Sequence, residues 1–252
     1  MLKQNLSALV VGVAIICTAF VIAGAYKYKF KGEETITVTG LAEKNFTSNL
    51  VVWKCEYSRK MPDLKSAYAL LKNDELTVAA YLKGKGIKAS ELQVSSIEIE
   101  KNFIQQKDEL VVQQKFEFGK SVAPRFDGYT LKQKITVQSA DIDKVENVSR
   151  EVTALIEKGI EMNSLPPAYY YTDLSQLKIG LLANASADAK LRAETIAKNS
   201  GSQLGSIRKA NMGVFQITGD HDNDSYEGGG TFNTSSRNKT ASITIKIDYS
   251  VH

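Results

Sequence analysis

The chain has 252 residues, 24% charged and 43% apolar, with a formal net charge of +4. This is an ordinary globular balance with enough length for a real core, and its scattered lysines argue against a nucleic-acid-binding face. Of its two cysteines, Cys17 lies in an apolar N-terminal run and Cys55 in a predicted strand, which argues against a disulfide framework.

Ala8 to Ala25 carries no charge. As a helix it measures about 27 Å, close to the ~30 Å hydrocarbon core of a bilayer. Two readings stand. A cleavable signal peptide would use Lys3, the apolar run and Ala23-Gly24-Ala25. A retained anchor would use Tyr26 and Tyr28 at the interface, and the length of the run favours it. Orientation is contested: Lys27, Lys29 and Lys31 outnumber Lys3 and hold the following chain inside, whereas a short polar lead before an apolar segment suits export.

Ile36 and Val38 alternate with threonines in a strand that is expected to end at Gly40. Val51, Trp53, Cys55 and Tyr57 alternate in the next. Pro62-Asp63 opens a helix with Leu64, Ala67, Tyr68, Leu71, Glu75, Val78 and Leu82 on its inner stripe, stopped by Gly84 and Gly86. Leu92 and Val94 share one parity, Ile97 and Ile99 the other, so a bulge or bend is expected between them. Leu110, Val112, Phe116 and Phe118 share a face in a further strand, making a hairpin with the last. After a break at Pro124 to Gly128, Tyr129, Leu131, Ile135 and Val137 form a strand. Asp141 caps a helix whose stripe is Ile142, Val145, Val148, Val152, Leu155 and Ile156, ended by Gly159. A short tyrosine-rich strand follows at Ala168 to Thr172.

The stretch from Thr172 to Gly213 reads as a long helix and then a strand. Asp173 and Gln176 fit a capping box. Leu174, Leu177, Leu181, Ala185, Ala189, Ala193 and Ile196 recur at helical spacing, and the alanines allow close approach of whatever covers them. Gly201 suits a left-handed cap. A strand is expected around Ile207 to Phe215. Gly219 to Lys239 is polar and glycine-rich, and reads as a mobile loop. Ile243, Ile245, Ile247, Tyr249 and Val251 alternate strictly in a closing strand.

The long helix, its Ser200–Gly205 turn and the strand after it resemble the SIMPL domain family, also called the domain of unknown function 541. ITVTGLAE at Ile36 to Glu43 resembles that family's N-terminal strand. Tyr129 to Gly159 resembles its central strand and helix. The resemblance runs in order from about Glu34 to Val251. It implies a bacterial envelope protein, exported to the periplasm, that forms ring-like homo-oligomers and serves envelope or oxidative-stress tolerance. It transfers no catalytic motif.

No catalytic, cofactor-binding or metal site emerges from the residues. Cys55 reads as a small core residue, since no histidine adjoins it. Asp220, Asp222, Asp224 and Glu227 around His221 fail the EF-hand pattern: Ser225 stands in place of the glycine and Thr231 in place of the closing glutamate. Gly228-Gly229-Gly230 lacks the context of a phosphate loop. Tyr169, Tyr170 and Tyr171 read as core packing with one exposed ring, and Asp141 and Asp143 as first-turn charges of a helix.

The expected fold is α+β: an N-terminal transmembrane helix, then a two-lobed domain of mostly antiparallel strands with three main helices. The expected layout is an anchor or signal peptide over 1–31 and a SIMPL-like domain over 32–252. The domain divides into lobes of about 32–123 and 124–218, a mobile loop over 219–239 and a closing strand over 240–252. The leading expectation is a non-enzymatic subunit, anchored in the inner membrane with its domain in the periplasm, that binds itself, the membrane and no nucleic acid. Leu182, Ala183, Ala187 and Leu191 spread apolar surface around the long helix. Ile243 and Ile245 lie on a closing strand expected to be an open edge. These six are the candidate oligomer interface. The alternative is a periplasmic module holding a lipid or small apolar ligand between its lobes.

Overall fold

The computed structural model describes residues 2–30, 34–104, 124–220 and 229–252. It is an α+β protein. Among the described residues it has four α-helices and ten strands, and the registered strand pairs are antiparallel.

Helix α1 spans Leu2–Phe30. The expected transmembrane helix is not found: among the described residues no helix is long and apolar enough to cross a membrane. The described side chains of α1 run from Gly12 to Tyr26, about 22 Å of helix.

The remaining elements, in chain order, are β1 (Thr35–Thr47), β2 (Leu50–Met61), α2 (Leu64–Gly84), β3 (Leu92–Val94), β4 (Glu98–Ile104) and β5 (Arg125–Ser139). Then come α3 (Ile142–Glu151), β6 (Glu161–Ser164), β7 (Ala168–Tyr170), α4 (Leu174–Asn199), β8 (Leu204–Met212), β9 (Gln216–Gly219) and β10 (Asn238–Val251).

The chain makes two compact units, and they are not the sequential lobes 32–123 and 124–218. One gathers residues 1–42, 179–214 and 242–252; the other gathers 43–178 and 215–241. Strand pairing is the reason: segments far apart in sequence share a sheet, so neither unit is one stretch of chain.

In the first unit the strands lie in the order β1-β10-β8. Leu181, Ala185, Ala189, Ala193 and Ala197 of α4 are buried with Val38 and Ala42 of β1 and Ile243, Ile245, Ile247 and Tyr249 of β10. Ala197 takes the last place in the stripe, and Ile196 is exposed. β1 does not end at Gly40. That residue is where the strand meets the helix: an added Cβ would collide with the Ala185 carbonyl oxygen and stand 2.6 Å from the Ala189 nitrogen. A glycine that looks like a terminator is a contact point.

The second unit is built on β2 and β5, paired over their full length with Trp53 opposite Val137 and Cys55 opposite Ile135. β3 and β4 both pair with β5, and β6 and β7 with β2. The parity change between Val94 and Ile97 is a break that separates β3 from β4. Alternation buries Val51, Trp53, Cys55 and Tyr57 against Ala67, Leu71, Val78 and Leu82 of α2 and Val145 and Val148 of α3.

Asp63, Asp141, Gly159 and Gly201 stand at the helix ends where the sequence places them. Asp63 accepts from the Ser66 amide and Asp141 from the Lys144 amide. Gly159 and Gly201 both have φ of 72°, in the left-handed region that favours glycine. Val152–Lys158 continues α3 as a 3-10 helix. Tyr68 and Ile156 are exposed rather than buried. The expected strand of Leu110 to Phe118 lies outside the described residues, and the expected break at Pro124 to Gly128 is mostly strand β5.

Candidate interaction surface

Helix α4 carries two stripes. The buried one, Leu181 to Ala197, follows i, i+4 spacing. Two residues earlier in phase runs a second set: Ile179, Ala183, Ala187 and Leu191. A two-residue offset is about 200° around a helix, so this set faces away from the buried one. Ile179 is 64% exposed and Leu191 63%, and the two alanines between them are exposed as well. Of the expected interface residues, Ala183, Ala187 and Leu191 therefore share one outward face, while Leu182 is half-buried beside it.

Ile243 and Ile245 do not belong to that surface. They are 4% and 8% exposed, and β10 lies between β1 and β8. The closing strand is the middle of its row and offers no open edge. Strict alternation states that one face is covered; it is silent on how many neighbours a strand has. The alanine stripe of 185–193 is likewise covered by the chain's own β1 rather than waiting for a partner.

Where β1 passes α4, the Leu41 amide donates to Asp188 Oδ2 at 2.9 Å, and Arg192 Nε donates to the same oxygen at 2.8 Å. The amide contact, followed by Arg192, holds the Asp188 carboxyl below the usual carboxylate range.

Other chemically active groups are used structurally. Burial pushes the Cys55 thiol up to about 12, so the nucleophilic thiolate is suppressed. The Tyr57 hydroxyl donates to Gln133 Oε1 at 2.7 Å inside the core, and Gln133 in turn donates to the Ser95 carbonyl. Asp74, buried on α2, forms an ion pair with Arg59. Arg237 donates to Asp143 at 2.5 Å, and the Tyr169 hydroxyl donates to Glu146 at 2.8 Å. Tyr169 is pushed up to about 12, by burial first and then by that bond. All three neighbouring tyrosines, 169 to 171, are half-buried.

Part of the expected mobile loop is fastened. The Thr231 amide donates to Gln216 Oε1 at 2.6 Å, and buried Lys239 donates to the Asn233 carbonyl at 2.6 Å. Asp222, Asp224, Glu227 and His221 lie outside the described residues. Among the described residues no cluster of three histidine, cysteine or carboxylate side chains has metal-binding geometry. One cleft of the second unit is largely polar, lined by Glu91, Gln93, Thr136, Gln138 and Ser139 with Leu50 and Leu92.

A family model, SIMPL, described as a protein of unknown function (DUF541), matches residues 36–251. The chain belongs to the SIMPL family. No curated protein matches it. Two of the segments on which the resemblance rests, Ile36–Glu43 and the alanine stripe of α4, meet at Gly40 in this SIMPL chain. The sequence shows each as a separate pattern; the fold makes them a single contact.

Sequence reasoning missed β8 as a surface. Every residue from Ser206 to Met212 is exposed, although the strand pairs with β10 along one side. Its mixed composition carries no alternation, which is the signal a strand covered on neither face leaves.

Proposed function

We propose that this SIMPL protein is a non-enzymatic structural subunit that assembles with copies of itself into a ring at the bacterial envelope. The observation that carries the reading is the outward stripe of α4. Four apolar residues at i, i+4 spacing on the face of a helix turned away from its own core are a feature of helices that have a further partner. A partner identical to this chain, joined through unlike surfaces, closes into a ring when the rotation permits.

Anchoring in the inner membrane by α1, with the rest in the periplasm, is part of the proposal. Its support is the uncharged run from Ala8 to Ala25 and the exposure of Val13, Ile15, Ile16, Phe20, Val21 and Ile22 on α1. Single exposed apolar residues are ordinary, but a whole helix of them needs cover. The absence of chemistry is supported by Cys55, whose thiol is buried and protonated. A role in envelope or oxidative-stress tolerance follows from what the family resemblance implies.

The test is the particle size of the detergent-solubilised full chain, read by electron microscopy and mass photometry. A closed particle of more than four subunits is expected. A monomer or dimer at concentrations well above micromolar would overturn the ring. Carbonate extraction of expressing cells tests the anchor, and release into the supernatant would refute it.

A further inference from the structure

Directly opposed residues of an antiparallel pair lie on the same face of a sheet. Opposite Ile245, Ile247 and Tyr249 of β10 stand Met212, Ala210 and Ile207 of β8. The three β10 residues are 8%, 2% and 4% exposed, whereas Met212 is 64% and Ile207 57% exposed, and Ala210 is exposed as well. One face of the sheet is therefore buried at β10 and uncovered at β8. Width explains the step. A helix is about 10 Å across and strands lie about 4.8 Å apart. Seated against β1 at Gly40, α4 reaches over two strands and not the third.

The uncovered part is an apolar shelf, Ile207, Ala210 and Met212, in the place that a second helix takes on a three-stranded sheet. From Ile207 to Met212 it is about 17 Å long. The outward stripe of α4, Ile179, Ala183, Ala187 and Leu191, is the matching surface. It runs for about 18 Å, and like the shelf it carries no charge. The alanines at its middle let another backbone come close, as Ala185 and Ala189 do at Gly40.

The stripe cannot reach the shelf of its own chain. It is turned about 200° from the buried set of α4, away from the sheet that carries β8. Each copy thus has an apolar helix stripe and an apolar strand face of equal length, exposed together and unable to meet within one chain. Neither brings a charge into the contact, so their union leaves no buried ion without a partner.

We propose that the outward stripe of α4 in one copy lies on the β8 shelf of the next copy, as the second helix of that sheet. The proposal rests on the self-association reading above and names its contact. Because stripe and shelf differ, the contact is head-to-tail, and repetition around a closing rotation gives a ring.

The test is disulfide cross-linking of the full chain in detergent, in a Cys17→Ser background where the remaining Cys55 is buried. One variant carries both Ala187→Cys and Ala210→Cys, at the middle of the stripe and of the shelf; two controls carry one change each. After mild oxidation, non-reducing electrophoresis should show a ladder of two, three and more subunits for the double variant and monomer for either control. No ladder from a double variant that assembles would overturn the contact and leave self-association standing. A disulfide dimer from either control would overturn the head-to-tail arrangement. A monomeric wild type by mass photometry would overturn self-association itself. Met212→Glu gives a second readout. With an unchanged circular dichroism spectrum, its apparent subunit dissociation constant should rise roughly tenfold or more, since a charge would be buried in an apolar contact. Wild-type assembly by Met212→Glu would give the shelf to another occupant and overturn the proposal.

Discussion

Gly40 of β1 lies so close to Ala189 of α4 that a methyl group at position 40 would stand 2.8 Å from the Ala189 Cβ. Neither partner can grow. The Ala185 carbonyl oxygen and the Ala189 amide nitrogen border the same spot, so trimming the Ala189 side chain would not make room.

Gly40→Ala should therefore destabilise the protein by overpacking, by about 1–3 kcal/mol. The measurement is thermal or urea unfolding followed by far-ultraviolet circular dichroism. An added Ala189→Gly should not restore the loss, because the clash with backbone remains. An unchanged midpoint in Gly40→Ala would show that strand and helix slide apart freely.

Asp188 makes acid stability a local property. Its folded carboxyl titrates below its unfolded value. A lowered pKa contributes stability that is present above the unfolded value of about 3.9 and lost as pH falls through the folded one. The slope of unfolding free energy against pH on the acid side should be shallower in Asp188→Asn than in the wild type. Equal slopes between about pH 5 and pH 2 would remove Asp188 from the account.

Cys55 should be silent to reagents. With its thiol near 12, almost no thiolate exists at neutral pH. In a Cys17→Ser background, iodoacetamide at pH 8 should label Cys55 only after denaturant is added. Native labelling at the unfolded rate would contradict its burial. Cys55→Ser should cost on the order of 1 kcal/mol or somewhat more, as a polar swap in a core does.

Tyr57→Phe should cost about 1–3 kcal/mol, since it leaves the Gln133 side-chain oxygen without its donor in the core. A double change with Gln133→Leu should recover part of the loss. Strict additivity of the two in denaturant unfolding would show that the hydrogen bond is not shared between them.

On the outward stripe, Ala187→Glu should reduce the assembled fraction at a given concentration without changing the circular dichroism spectrum. Ala187 is exposed, so the charge has no folding penalty to hide behind. Full assembly of this variant would separate the stripe from the self-association surface.

Much of the second unit was legible because its signals are local. Val51, Trp53, Cys55 and Tyr57 alternate as a covered strand must, and Asp63, Asp141 and Gly159 are caps that act within a few residues. β6 was missed because Glu161–Ser164 holds one buried apolar residue, Met162, too little for a pattern. The first unit was read less well for a different reason. Its three strands come from distant parts of the chain, and no periodicity reports which strand lies next to which. The same gap made β10 read as an edge, whereas it lies between β1 and β8. Lys239, buried and bonded to Asn233, lies in a stretch whose glycines and polar residues read as loose; only the backbone carbonyl that it meets reveals the fastening.

The place of β10 between β1 and β8 has a consequence for how the protein acquires its shape. Thr37 donates to Asp248, 211 positions away, so β1 has no strand neighbour until nearly the whole polypeptide has been made. Contacts of such separation slow folding. In the second unit β2 and β5 both come from 43–178 and can pair earlier. During that interval β1 is a threonine-rich segment without a strand partner, and a chaperone that holds extended segments is best placed to act there.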